Sequence, residues 1–348
     1  MVRRITVLYS NTPNPIVDER LRLFRTSCQV SIVYTKRQKS ALTLSNMPLE
    51  DVNYYQVAVK DYRGFDIRKI LSNLRLLKKI PRNTDCIYAI YPDMLLCAVI
   101  YKIFCNYKVK IIYEIQDLIT DNLIFKAFHN LLMKFCKRIN LTSPFFIIDL
   151  GRAALKKSVY IGNNPDEISS AQLREQLDGE PSRQLTIGLV GNLRDPEQVN
   201  HIERILDETS LNVVQAGASD FKQQLRDLQK RYPCRLCLID TFHHSELSSI
   251  YCRIDIVWAV YPDTYNYNWH IARRAHEAIL LNKKLVIAAH AKGMRSFFIN
   301  EENVIVFRSD NECLDDVLKF DIIEGSLDRK TVRHYNVSRE AILGVFES

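Results

Sequence analysis

The stretch from Asn268 to Met294 gathers side chains suited to an anionic ligand. Arg274 and Glu277 stand at i and i+3, which puts both on one face of a helix. A carboxylate there can accept hydrogen bonds from ribose hydroxyls while the guanidinium meets phosphate oxygens. Asn268 and His270 lie just before this helix, and Gly293 and Met294 lie in a Lys-Gly-Met loop after the next strand. A second segment, Leu189-Val-Gly-Asn-Leu-Arg194, follows another strand: Gly191 lets backbone approach a ligand closely, Asn192 is beside it, and Arg194 offers a forked donor for phosphate. Taken alone, a strand ending in glycine is a common turn, and an Arg–Glu pair at this spacing is a common surface ion pair worth little.

Short β-branched and aromatic runs alternate with longer amphipathic segments along most of the chain, the pattern of an α/β protein with parallel sheets and helical crossovers. In the first half the predicted strands are Ile5–Tyr9, Val30–Tyr34, Tyr55–Val59, Cys86–Ile90, Lys110–Glu114 and Ile139–Ser143. Ile67, Ile70, Leu71, Leu74 and Leu77 recur at helical spacing and predict a helix covering that sheet. Asn163-Asn164-Pro165-Asp166 and the polar run after it mark a domain boundary. The second half repeats the alternation in Leu185–Val190, Leu211–Ala216, Leu236–Ile239, Ile256–Val260, Leu285–Ala289 and Val304–Phe307. Open α/β sheets bind ligands beyond the carboxyl ends of their strands, where both segments above fall.

The 348 residues suit two cores of roughly 150 to 180 residues each, and a composition 47% hydrophobic and 25% charged is that of a folded globular protein. The apolar runs fall short of the ~20 residues that span a bilayer, and no export signal precedes Ile5, so a cytoplasmic protein is expected. The nine cysteines show no framework spacing. Cys234-Arg-Leu-Cys237 lacks the second ligand pair that a zinc site needs. Residues 1–160 carry 26 Lys and Arg against 12 Asp and Glu, a net +14, whereas the remainder is net −6. The basic half lacks the interleaved aromatics of a nucleic-acid module, so its expected partner is the anionic inner face of a membrane, with the protein held there peripherally.

In four places the order and spacing of these residues resemble GT-B glycosyltransferases of family four, especially those building bacterial capsules, exopolysaccharide or lipopolysaccharide. Asp18-Glu-Arg-Leu-Arg22 is similar to the family's Asp-Pro-Arg-Val-Arg helix start, and Tyr113-Glu-Ile-Gln-Asp117 to its Tyr-Asp-Ile-His-Asp loop. Val190-Gly-Asn-Leu-Arg194 is similar to its Val-Gly-Arg-Leu segment. Arg274, Glu277, Ala278, Lys284 and Gly293 stand where its donor-site element has Lys, Glu, Ala, Lys and Gly. The resemblance implies two Rossmann-like doubly wound domains facing across a cleft: residues 1–165 for the acceptor, 166–330 for the sugar nucleotide, and 331–348 as a helix crossing back. It implies transfer of a sugar, with retention and without a metal or cofactor, from a nucleotide donor, UDP favoured over GDP, to a glycan or lipid-linked acceptor. The implied donor residues are Gly191, Asn192, Arg194, Asn268, Arg274, Glu277, Gly293 and Met294. Asp18, Arg20, Gln116 and Asp117 fall on the acceptor side, with Asp117 and His270 as catalytic candidates. Three positions depart from the pattern. Trp269 stands where a first Glu contacts the transferred sugar, leaving Asn268 or His270 to substitute. Asp195-Pro196-Glu197 replaces an expected basic residue, and Gln116 replaces a His. These departures keep open a non-catalytic binding subunit and a sugar-nucleotide epimerase of the same fold.

Overall fold

The computed structural model describes residues 3–37, 49–59, 71–118, 122–163, 185–240, 242 and 246–307. The chain divides into two compact units, one ending at Gly162 and the next beginning at Asn163. The polar run after Pro165 and the segment 331–348 lie outside the described residues.

The first unit carries a seven-stranded parallel sheet in the order β3-β2-β1-β4-β5-β6-β7. Its strands are β1 (Arg3–Tyr9), β2 (Cys28–Arg37), β3 (Val52–Val59), β4 (Cys86–Ile90), β5 (Lys110–Ile115), β6 (Arg138–Leu141) and β7 (Ser158–Tyr160). Between them run α1 (Pro15–Arg25), α2 (Pro92–Phe104), α3 (Leu123–Met133) and the single turn α4 (Arg152–Leu155). Every residue of β4 is buried, as expected where helices cover both faces of a parallel sheet. Helix α1 begins where the Asn14 side chain accepts the Val17 N–H at 3.0 Å, with Pro15 pre-set for the first turn. It buries Val17, Leu21 and Phe24 in the sheet core.

The second unit has a six-stranded parallel sheet in the order β10-β9-β8-β11-β12-β13. It comprises β8 (Thr186–Val190), α5 (Pro196–Glu208), β9 (Asn212–Ala216), α6 (Lys222–Arg231), β10 (Leu236–Ile239), α7 (Leu247–Cys252) and β11 (Ile256–Ala259). There follow α8 (Tyr265–Trp269), α9 (Arg273–Leu280), β12 (Lys284–Ala288), α10 (Lys292–Phe297) and β13 (Val304–Phe307). In each sheet the strand order reverses once, between β1 and β4 and between β8 and β11, and those are the points where doubly wound sheets open a crevice for ligands.

All twelve strands read from sequence form, and β7 is added. The helix expected over residues 67–77 is present at 71–73 and is corrected beyond Asn73. A 3-10 turn at Leu74–Lys79 buries Leu76, which the helical stripe omits, and leaves Leu71 60% exposed. Ile67 and Ile70 lie outside the described residues. Among the described residues, no helix is long and apolar enough to cross a membrane.

Candidate functional site

In the second unit, β8 runs into Gly191, whose φ of 112° strains any other residue. Gly217, at the end of neighbouring β9, has φ 131°, and a Cβ on it would lie 2.4 Å from the Gly191 carbonyl oxygen. The two glycines let the strand ends lie against each other. A Cβ on Gly191 would meet Arg274 Nη2 at 2.9 Å. The Arg274 guanidinium sits 5.1 Å from the centroid of the Tyr261 ring, which in turn stacks on Tyr267 at 4.8 Å. Because Tyr261 follows β11, this guanidinium bridges the ends of β8 and β11, at the point where the strand order reverses. An alanine at 191 would be strained by φ and would press on Arg274. We expect Gly191→Ala to lower stability by about 1–3 kcal/mol, whereas Arg274→Ala changes it little; urea midpoints of the two variants check this.

Glu277 is buried in α9, where Oε2 accepts from the Tyr251 hydroxyl at 2.7 Å and Oε1 from Arg273 Nε at 2.8 Å. The cation beside this carboxylate is therefore Arg273, one turn earlier, and not Arg274 as the i, i+3 reading expects. Closing the i, i+4 pair with Arg273 leaves Arg274 to stack on Tyr261. Burial, then the Glu277 charge, pushes the Tyr251 phenol well above its ordinary pKa.

Asn268 lies in the short helix α8, and His270 ends it by donating its backbone N–H to the Asn266 carbonyl at 2.9 Å, ahead of α9. Asn268 donates to Asp263 at 2.9 Å, while its Oδ1 is buried with no hydrogen-bond partner among the described residues. The Lys-Gly-Met loop is instead the opening turn of α10, and Met294 packs in the core at 1% exposure. Gly293 permits that turn to approach α8: a Cβ there would lie 2.7 Å from the Trp269 carbonyl oxygen. Lys292 lies over the Trp269 ring at 5.7 Å. Asn192 and Arg194 are exposed on the loop after β8. The acidic departure beyond Arg194 has a structural cause, since Asp195 caps α5 by accepting from Glu197 N at 3.0 Å and Pro196 opens the helix.

In the first unit, Arg20 and Gln116 meet on Glu114, a residue that sequence reading passed over. Arg20 Nε donates to Glu114 Oε2 at 3.0 Å and Nη2 to the Gly162 carbonyl at 2.9 Å. Gln116 donates to Oε1 at 2.9 Å, and the Tyr88 hydroxyl donates to Oε2 while accepting from Asn140. Asp117, although next in the chain, instead lines a small cleft with Leu118, Lys126, His129, Phe146 and Asp149. Asp18 is buried on α1, and its charge helps raise the Tyr54 phenol, whose shift is due first to burial. Of the four acceptor-side candidates, Arg20 and Gln116 thus share one acceptor, Glu114. Tyr91, which ends β4 beside the crevice of this sheet, has φ 78° and stacks on Tyr9 at 5.7 Å. Pro92 restrains Tyr91 toward extended ψ, but no sequence signal announces a positive φ.

No known family profile matches the sequence, and no curated protein matches it. Solved structures do. HepE from Anabaena, in complex with UDP and glucose, aligns with a TM-score of 0.61 at 14% identity over 89% of this chain and 86% of its own. Sucrose-phosphate synthase from Thermosynechococcus elongatus aligns at 0.67, with 12% identity over 90% and 88%. UDP-N-acetylglucosamine 2-epimerase from Rickettsia bellii aligns at 0.66, with 11% identity over 100% and 96%. The fold is GT-B.

Two buried imidazoles lie close to the candidate groups of this GT-B chain. Burial, then Arg273 and His270, lowers His276 to about 3, between the rings of Phe297 and Phe298. Burial lowers His129, at 2.9 Å from the Tyr113 hydroxyl, to about 4. His276 is therefore an interior residue. Both rings take up a proton more readily unfolded than folded, so stability rises with pH from about 4 up to the unfolded value near 6.5. We expect His276→Phe to remove up to about 1.4 kcal/mol per pH unit from that slope, read from urea unfolding at several pH values. Among the described residues no group of His, Cys, Asp and Glu is arranged to hold a metal ion, and Cys234 and Cys237 are exposed free thiols.

Proposed function

We propose that this chain is a glycosyltransferase taking a sugar from a nucleotide diphosphate, a UDP-sugar in preference to a GDP-sugar, and passing it to a glycan or lipid-linked acceptor during cell-surface polysaccharide synthesis. The observation that carries the reading is the Arg274 guanidinium, held against Gly191 and over Tyr261 at the strand-order reversal of the second sheet. A fixed forked donor there, joined by Arg194 from the loop after β8, suits a diphosphate and stabilises the charge that grows on it as the glycosidic bond breaks. In this reading no resident metal or cofactor is needed and the anomeric configuration is retained. Glu277 receives the ribose hydroxyls through the lone pairs that Tyr251 and Arg273 leave open. The partnerless Asn268 Oδ1 accepts from a sugar hydroxyl, and His270 on the donor unit and Asp117 on the acceptor unit are the catalytic candidates of this reading.

Support from similar proteins is structural: HepE was solved with UDP and glucose. The basic charge of residues 1–160 fits peripheral attachment to an anionic membrane surface, where a lipid-linked acceptor would be presented. Calorimetry of the purified chain with UDP-, GDP- and dTDP-sugars, followed by mass spectrometry of products, tests the reading. Binding of a UDP-sugar with transfer to a lipid-linked acceptor is expected. Absence of binding to every donor overturns it in favour of a non-catalytic subunit, and free-sugar epimerisation in favour of the epimerase.

A further inference from the structure

Helix α3 turns an apolar stripe outward. Ile124, Phe128 and Leu131 follow at i, i+4 and i+7, Leu123 joins them, and exposed Phe135 follows just past the helix end; Leu123 and Ile124 are each 79% exposed. The opposite face is already committed. His129, Leu132 and Met133 pack inward, Lys126 pairs with Asp149 at 2.7 Å, and Asn130 holds Gly151 and Asp149. The stripe is therefore surplus to the core and not a displaced core face. Ile147 and Ile148 on the adjoining 3-10 turn and Leu155 on α4 are also about half exposed. Monomeric proteins rarely leave large apolar patches to water.

The charge around this surface identifies what covers it. Residues 122–157 contain seven Lys and Arg but a single acid, Asp149, whose carboxylate is taken by Lys126. Lys134, Lys137, Arg152 and Lys156 are exposed around the apolar groups. Apolar side chains set among exposed cations match an anionic bilayer, where the former enter the acyl boundary and the latter meet headgroup phosphates.

We propose that the outer face of α3, with Ile147, Ile148 and Leu155, is a membrane-docking surface that inserts into the interface of an anionic bilayer. This deepens the peripheral attachment proposed above, replacing diffuse attraction of a basic half with a defined surface that also penetrates. It does not depend on the donor reading.

The test is flotation of the full chain with vesicles of phosphatidylcholine alone or with about a third phosphatidylglycerol. The expected results are binding to the anionic vesicles that partly survives 0.5 M salt, and a loss of about tenfold or more in Ile124→Glu/Leu131→Glu, since burial of each apolar side chain adds to partitioning. Lys134→Glu/Lys137→Glu should weaken binding mainly at low salt. Ile299→Glu, an exposed apolar position on the second unit, should leave it unchanged. Thermal unfolding confirms that each variant is folded. Binding that salt abolishes and the double glutamate variant retains leaves peripheral attachment standing and overturns this surface. Failure to float with anionic vesicles overturns both. A dimer in solution that the double glutamate variant dissociates assigns the face to a second copy and overturns the lipid proposal. Calorimetric donor binding by the same variants reads the transferase proposal separately.

Discussion

Arg20→Met should lower the stability of the first unit by about 3–5 kcal/mol, because it removes one partner of a buried ion pair and strands the other. Glu114 is 0% exposed, and its carboxylate is held by Arg20, Gln116 and Tyr88. Burial opposes the charged guanidinium, yet Glu114, joined by Tyr88 and Glu19, outweighs it and holds the Arg20 pKa above its ordinary value. With Met at 20 the carboxylate stays out of water without its cation, and the Gly162 carbonyl loses a donor. The double variant Arg20→Met/Glu114→Gln should recover most of the loss, since a neutral amide at 114 no longer needs a counter-charge. Urea unfolding of both variants gives the coupling. A loss under about 1 kcal/mol for Arg20→Met would show that the pair behaves as an ordinary surface bridge.

Glu277→Ala should weaken UDP-sugar binding by about a hundredfold or more, the cost of two charge-assisted hydrogen bonds to ribose hydroxyls. It should also lower stability by about 1–3 kcal/mol, because the Tyr251 hydroxyl and the Arg273 guanidinium lose their shared acceptor. Glu277→Gln separates the two effects. Its amide oxygen still accepts from Tyr251, so the fold is expected to survive while affinity falls by about tenfold with the lost charge. Calorimetry at matched protein stability is the measurement, and undiminished affinity in Glu277→Ala would sink the ribose role.

The parallel sheets were legible because each central strand is a short apolar run buried on both faces. The glycine after β8 was legible too: Gly191 follows such a strand, and its φ of 112° is the conformation that this residue type serves. Individual side-chain partners were not. Helical spacing places Arg273 and Arg274 equally well for Glu277, and only the backbone course of β8 and β11 turns Arg274 toward Gly191. Likewise Gly293 and Met294 read as loop residues because glycine suggests a turn, whereas the close approach of α10 to Trp269 uses the missing Cβ within a helix.

What the sequence by itself determined, then, is the layer architecture, the parallel strands and the loop and helix that carry Gly191, Arg274 and Glu277, because hydrophobic period and glycine conformation are local properties of the chain. The tertiary structure alone decided that Arg20 and Glu114, 94 residues apart, form one buried pair, that Glu277 answers to Arg273 and Tyr251, and that the apolar face of α3 left over after packing points outward. Each of these depends on which elements the strand order makes neighbours, and no local pattern carries that information.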